Sequence, residues 1–372
     1  SDLATRALEP NVFYDPAPAL AGLRHLPEGR GAAVLLAWDE AGQLVGLLPL
    51  VQARARHLNP FRLRRAAEFY GTLSTPLLDP ASAPAAWAAM LDALGRSRVS
   101  ALMLPFLHEG EAAAALDAAC ASRGYARHNL AGHARAMLRS DLAGADYVRA
   151  TLETRRRKEA DRQRRRLADL GQLAFQVVDD PAEMRAMLDV FLALEASGWK
   201  GTAGTDLAHA PGAAAFFAET AAGLAANGAF RIATLTLDDR VIAAGLVAVA
   251  GRRAFYLKTT YDESLARFSP GLLLTLDLTA HLLDDPAIDD ADSIAVADHP
   301  MIDRVWTARF PVAATLVSTR AGGGALFRLA AFTEMARERA IAEIKAGREK
   351  FKQIRRSNAK DSGNKTDTSA AH

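Results

Sequence analysis

Side chains able to bind an anion and to move a proton gather in the second half of this sequence. Ser269-Pro270-Gly271 opens an apolar run, Leu272–Leu283, that reads as a helix. A helix start offers unpaired backbone N–H groups and a partial positive charge, which suits an anion. Gly271 permits close backbone approach, Pro270 removes no N–H the helix would use, and Arg267 adds a mobile positive charge. Glu195 ends a helical segment beside Trp199-Lys200-Gly201, and Asp298-His299 follows a late apolar stretch. A carboxylate can take a proton directly or through water, and a histidine, with an ordinary pKa of about 6.5, is a natural acceptor. Lys258 and Tyr261 share one strand and could position a substrate or protonate a leaving group. Plainer readings stand beside each. Glu195 could pair with a basic neighbour such as Lys200, His299 could shape a turn before Pro300, and Ser269-Pro270-Gly271 could be a cap. Trp199 and Trp306 read as packing anchors or pocket walls. Cys120 is the lone cysteine and no Ser-His-Asp arrangement is readable, so nothing points to a covalent nucleophile.

These residues need a frame. The 372 residues exceed one ordinary domain and fit two plus extensions. With 45 basic and 43 acidic side chains the net charge is only +2, which argues against a generic nucleic-acid binder. A single cysteine excludes an internal disulfide framework or a multi-cysteine metal site and suits a reducing cytoplasm. The opening residues lack a basic region followed by an apolar run, and no apolar stretch is long enough to span a bilayer. The first section reads as mixed α/β: strands over Ala33–Trp38, Leu44–Pro49, Ala101–Leu104 and His133–Leu138, with helices over Pro84–Leu94 and Glu111–Arg123. Tyr147–Leu170 is a basic helix. After it the pattern predicts a strand Leu173–Val178 and helices Pro181–Ala196 and Gly212–Ala226. A meander Phe230–Leu237, Val241–Ala250 and Arg253–Thr259 comes next. Beyond the Leu272–Leu283 helix, strands are expected at Ser293–Val296 and Val312–Val317, then a helix past Gly324 and a polar tail. The fold class is α+β, with expected domains 1–145, 146–320 and a C-terminal extension 321–372.

Ordered segments then carry a resemblance. Trp199-Lys200-Gly201, Tyr256-Leu257-Lys258-Thr259-Thr260-Tyr261-Asp262 with Ser269-Pro270-Gly271, and Asp298-His299-Pro300-Met301-Ile302-Asp303-Arg304-Val305-Trp306 resemble the "W-K-G", "Y-x-x-K-x-x-Y-D…S-P-G" and "D-H-P-x-x-D-R-x-W" elements of bacterial CelD/BcsL-like GNAT (Gcn5-related N-acetyltransferase) acyltransferases. The likeness covers Thr151–Thr319 well and the first half weakly. It implies tandem GNAT-like domains, the first degenerate and the second active, each a mixed, mostly antiparallel sheet flanked by helices. It implies acyl-CoA as co-substrate, held by Arg267, Ser269, Gly271 and Leu272, with no metal. The usual anion loop has small residues where Pro270 and Leu272 stand, which leaves the acyl group open.

Glu195, Asp298, His299 and Tyr261 are the expected catalytic residues, and Trp199, Lys200, Lys258 and Arg304 the expected acceptor contacts, in direct transfer within a ternary complex. The resemblance implies an amine acceptor, an amino sugar or lipid-linked saccharide of exopolysaccharide assembly, in the cytoplasm or at the inner membrane. Related sequences acylate lipid amines, and femX-like relatives use aminoacyl-tRNA. A lipid N-acyltransferase and an inactive GNAT pair acting as a regulatory module therefore stay as alternatives. The basic segment Arg155–Arg166 could face an anionic membrane or phosphates, or pair internally with Glu159 and Asp161. Arg355-Arg356 suits a phosphate ligand such as cyclic di-GMP, the plainer reading being a solvated tail. No specific nucleic acid is expected.

Overall fold

The computed structural model describes residues 2–52, 62–198, 207, 209–341 and 343–344. The first half contains helices α1 (Asp2–Arg6) and α2 (Pro16–His25), then strands β1 (Ala33–Trp38), β2 (Leu44–Gln52), β3 (Leu63–Ala66) and β4 (Leu77–Leu78). Helix α3 (Ala83–Arg96), β5 (Ala101–His108), α4 (Glu111–Arg123) and β6 (Tyr125–Leu138) follow. The second half begins with α5 (Gly144–Thr151), α6 (Thr154–Ala168), β7 (Leu173–Val178), α7 (Pro181–Ala196) and α8 (Ala213–Ala225). It continues with β8 (Phe230–Leu237), β9 (Arg240–Ala250), β10 (Arg253–Tyr261), α9 (Pro270–Asp284), β11 (Asp290–Asp292) and β12 (Ala308–Ala321). A last helix, α10, covers 324–341.

Local chemistry sets several of these boundaries. Asp180 caps α7 by accepting from the Ala182 N–H at 2.8 Å, with Pro181 in the first turn. Gly124 ends α4 in the left-handed region at φ 67°, where a side chain would be strained. Asp238 and Asp239, both at positive φ, make the two-residue turn that pairs Leu237 with Arg240. The expected basic helix is two helices, because the backbone at Leu152 is extended. The late strand lies at Asp290–Asp292 rather than Ser293–Val296. The Asp292 carboxylate accepts the Ile294 N–H at 3.0 Å and turns the chain out of the sheet.

The architecture is α+β: one mostly antiparallel sheet in the order β1-β2-β3-β5-β12-β6-β11-β10-β9-β8-β7, with β4 pairing β2. The parallel pairs among the described residues are β3 with β5 and β10 with β11. Helices cover both faces. One core gathers Ala21, Trp87, Leu116, Leu188, Phe191 and Phe216, from α2, α3, α4, α7 and α8. The opposite face packs Tyr147, Leu167, Leu274 and Leu278, from α5, α6 and α9, while Phe327 of α10 packs on β5 and β12.

The two halves exchange strands. β12, last in the sequence, inserts antiparallel between β5 and β6, and β6 in turn pairs β11. At this joint Arg135 and Asp292, both with 0% side-chain exposure, form an ion pair at 2.5 Å. The guanidinium carbons of Arg135 and Arg253 lie 5.2 and 5.0 Å from the centre of the Phe310 ring, and His108 stacks on that ring at 3.9 Å.

Candidate active site

Strand β10 organises the site because its two edges behave differently. Along β9 it is paired nearly throughout, but the register slips between Tyr256 and Lys258. Such a bulge resets the alternation of side chains, so residues on either side of it can share a face. Leu257 and Lys258 accordingly line the same cavity. Tyr256 and Tyr261 pack on the other face, against the α9 core. Along β11, β10 is paired only at Arg253, Ala254 and Phe255. Past Phe255 the two strands part, since β11 is turned away by Asp292 and by the Thr72 hydroxyl, which donates to the Ile294 carbonyl at 3.2 Å. The result is a wedge through the sheet beside the bulge.

On one face of the wedge lies the start of α9. Asp262 caps the turn that leads to it, accepting from the Ser264 N–H at 2.9 Å and lying 3.0 Å from Arg240. Burial pushes the Asp262 carboxyl up, but the Ser264 bonds and Arg240 outweigh this and hold it below its ordinary value. Ser269 has left-handed backbone, φ 51°, and its carbonyl accepts from the Leu272 and Leu273 N–H groups. A side-chain carbon at Gly271 would come within 3.1 Å of the Tyr261 ring, so this glycine lets α9 sit close against β10.

A pocket of about 540 Å³ opens here, lined by Ser269, Leu272, Met301, Arg304, Arg155 and Arg156 among others. Helix α6 therefore brings guanidiniums to the same pocket as the start of α9. Arg304, expected with the acceptor, lines this pocket too. Arg267 is exposed and lies over the Phe268 ring at 4.7 Å, outside the lining. Other charges of α6 are matched locally: Arg162 by Glu159 at 2.5 Å and Arg164 by Asp277 of α9 at 2.7 Å.

The other face holds Glu195 and Lys258. Glu195, 1% exposed at the end of α7, meets Lys258 Nζ at 2.9 Å through one carboxylate oxygen. Its second oxygen accepts the Leu207 N–H at 3.0 Å. Among the described residues, Glu195 is thus paired with a strand residue placed by the bulge, far along the chain. Beside it is a cavity of about 150 Å³ lined by Val12, Phe13, Tyr70, Phe216, Phe217 and Lys258 among others. Both halves contribute, and Tyr70 stacks on Phe216 at 5.4 Å.

Asp298 and His299 sit on the α9 side. His299 Nδ1 accepts the Met301 and Ile302 N–H groups at 3.4 Å, shaping a turn, and Met301 in turn contacts Thr275 of α9. Asp298 is exposed with φ 57°. Trp306 is fully buried and donates to the Thr279 hydroxyl at 2.8 Å, an anchor for the segment. Trp199, Lys200 and Arg355-Arg356 lie outside the described residues. Burial pushes the Cys120 thiol up to about 11, far from the range of a reactive thiolate. Among the described residues no group of three or more His, Cys, Asp or Glu is placed to hold a metal, and no helix is long and apolar enough to cross a membrane. Phe13 and Tyr70 were not expected at the site; they reach it by packing on Phe255, Phe216 and Phe217 of the second half, a contact that no local pattern carries.

Residues 154–293 match the family described as an acetyltransferase (GNAT) domain. No curated protein matches the chain. Among solved structures, FemX is similar with a TM-score of 0.57 at 10% identity, over 85% of this chain and 94% of that one. The C-terminal DUF2156 domain of a protein described as a lysylphosphatidylglycerol synthetase, from Agrobacterium fabrum, aligns with TM-score 0.53 at 14% identity, over 89% and 93% of the two chains. A conserved protein of unknown function from Bacteroides thetaiotaomicron gives 0.53 at 8%, over 85% and 94%. At such identities the likeness is one of fold. The GNAT match spans α6 through β11 and so contains the bulge, the wedge and the start of α9.

Proposed function

We propose that the chain is an acyl-CoA-dependent N-acyltransferase whose donor and acceptor approach from opposite faces of the sheet and meet at the β10 bulge. The observation that carries this is the wedge beside Leu257, with an arginine-flanked helix start on one side and the Glu195–Lys258 pair on the other. The pyrophosphate of the donor rests at Ser269–Leu272 near Arg155, Arg156 and Arg304, where the helix start and guanidiniums attract it. The thioester arm lies in the wedge. The backbone at the bulge lacks a strand on the gap side among the described residues, so an N–H there is a candidate donor to the oxyanion.

The amine attacks the thioester carbonyl, its proton passes to Glu195 directly or through water, and the carbon–sulfur bond breaks to release the thiolate. Lys258 holds the Glu195 carboxylate in place, and Tyr261, against Gly271, is the candidate to protonate the sulfur. His299 and Asp298 act in this scheme by shaping the wall beside α9.

We assign the acceptor, by the resemblance of the motifs, to amino sugars of CelD/BcsL-type exopolysaccharide assembly in the cytoplasm or at the inner membrane. The aromatic lining of the small cavity favours a second acceptor, a lipid amine. Incubating the protein with acetyl-CoA and longer thioesters against glucosamine-type and sphingoid amines, and following thiol release, tests both. Release that depends on the amine and on Glu195 supports the reading. Failure to bind any CoA thioester, with no release for any amine, leaves instead a GNAT-like binding module.

A further inference from the structure

Next to the acceptor cavity is a larger groove, of about 1210 Å³, that the reaction above leaves unused. Its walls carry Arg30, Arg62, Arg64, Arg65 and Arg98 against two carboxylates, Glu28 and Glu68, an excess of positive charge. Arg65 is matched within the wall, its Nη2 lying 2.8 Å from both Glu68 oxygens. Arg64, beside it on β3, has a solvent-shielded Nη1 with no hydrogen-bond partner among the described residues. A shielded guanidinium N–H without an acceptor is costly, and a turn of the Arg64 side chain into the groove it lines would let an anion there satisfy it. Arg62 and Arg98 are exposed and both have left-handed backbone, at φ 49° and 58°, as does Tyr70 at 56°. Non-glycine residues rarely adopt that conformation, and they concentrate where surrounding structure must aim a side chain. The Ser100 N–H donates to the Arg62 carbonyl at 3.2 Å and ties the two arginine turns together. Tyr70 lines both the groove and the acceptor cavity, so the two spaces meet at one ring.

We infer that this groove binds a phosphate or diphosphate group of the acceptor molecule, whose amine then reaches past Tyr70 to Glu195 and Lys258. Planar guanidiniums suit paired phosphate oxygens, and several of them on one wall suit a diphosphate better than a lone carboxylate. The route past Tyr70 rests on the acyltransfer reading, whereas the phosphate site stands on the groove alone.

The test loads the protein with saturating CoA, filling the pocket at α9, and then titrates inorganic pyrophosphate by calorimetry. Wild-type protein is expected to bind it, and Arg64→Ala to weaken binding at least tenfold while CoA affinity is unchanged. The pair Arg62→Asn and Arg98→Asn, at exposed positions where asparagine tolerates left-handed backbone, gives the same answer should Arg64→Ala not fold. Sedimentation with phosphatidylglycerol vesicles sorts the source: binding lost in these variants puts the phosphate on a lipid, and absence of binding puts it on a soluble molecule. Pyrophosphate binding that is absent in the CoA-loaded protein, or undiminished in the variants, overturns the inference. So does transfer RNA that binds more tightly than pyrophosphate through the same arginines. Failure to bind CoA counts against the acyltransfer reading instead, and titration of the unloaded protein still tests the groove.

Discussion

The pocket at the start of α9 and the cavity beside Lys258 are built in different ways. The donor-side pocket is made by nearby stretches of the second half, α6, the start of α9 and the segment around Met301. The acceptor-side cavity needs Val12, Phe13, Pro18 and Tyr70 from the first half. The difference suggests a division of labour. On the proposed function, the second half carries the anion-binding module and the first closes the acceptor side, so changes in the first half are expected to alter which amine is accepted before they alter donor binding.

The largest expected effect comes from the joint on which both pockets depend. Asp292→Ala leaves Arg135 buried without its partner and removes the turn that opens the wedge. Loss of about 3–5 kcal/mol of stability is expected, read by denaturant unfolding, with both binding functions lost together. Next is Glu195→Gln, which keeps shape and removes the base. A fall in kcat of about 10²–10⁴ is expected, with CoA-thioester affinity unchanged in calorimetry. Arg155→Ala with Arg156→Ala should do the converse, weakening CoA binding about tenfold and flattening its dependence on salt while acceptor KM holds.

Gly271→Ala presses a methyl group toward the Tyr261 ring, and α9 must shift by a few tenths of an ångström. A several-fold weaker CoA affinity is expected, without loss of fold by circular dichroism. The smallest effect is Asp262→Asn. The Asp262 carboxyl is held below its ordinary value, so its contribution is present above the unfolded carboxyl range, near about 3.9. That contribution is lost as pH falls through the lower folded value. Because its partner Arg240 is 61% exposed and solvent screens the pair, the change in Tm at pH 7 should be under about 2 °C, and the acid arm of the stability profile should become shallower.

Much of the second half could be read directly. Leu173–Val178, Pro181–Ala196 and Phe230–Leu237 match their strands and helix end to end because periodicity, caps and turns agree there. β11 escaped because Asp290-Ala291-Asp292 has the composition of a turn. It is a buried strand only because Arg253, Arg139 and Arg135 neutralise its aspartates. Insertion of β12 between β5 and β6 is a long-range pairing that no local pattern carries. At the site, the helix start at Ser269 was legible and Glu195 and Lys258 were both singled out, but their pairing was not, because a bulge leaves no mark in composition. His299 could be read as a base or as shaping a turn, and its Nδ1 accepts the N–H groups of the next turn.

On the proposed function, the acyl group crosses the sheet at the bulge. A CoA thioester bearing a photoreactive acyl group, irradiated in complex and mapped by mass spectrometry, tests it most directly. Labelling is expected on the acceptor side, at Lys258, Tyr70 or Phe216–Phe217, with loss of the label in Arg155→Ala/Arg156→Ala. Labelling confined to the α9 face, at Met301 or Trp306, would contradict it.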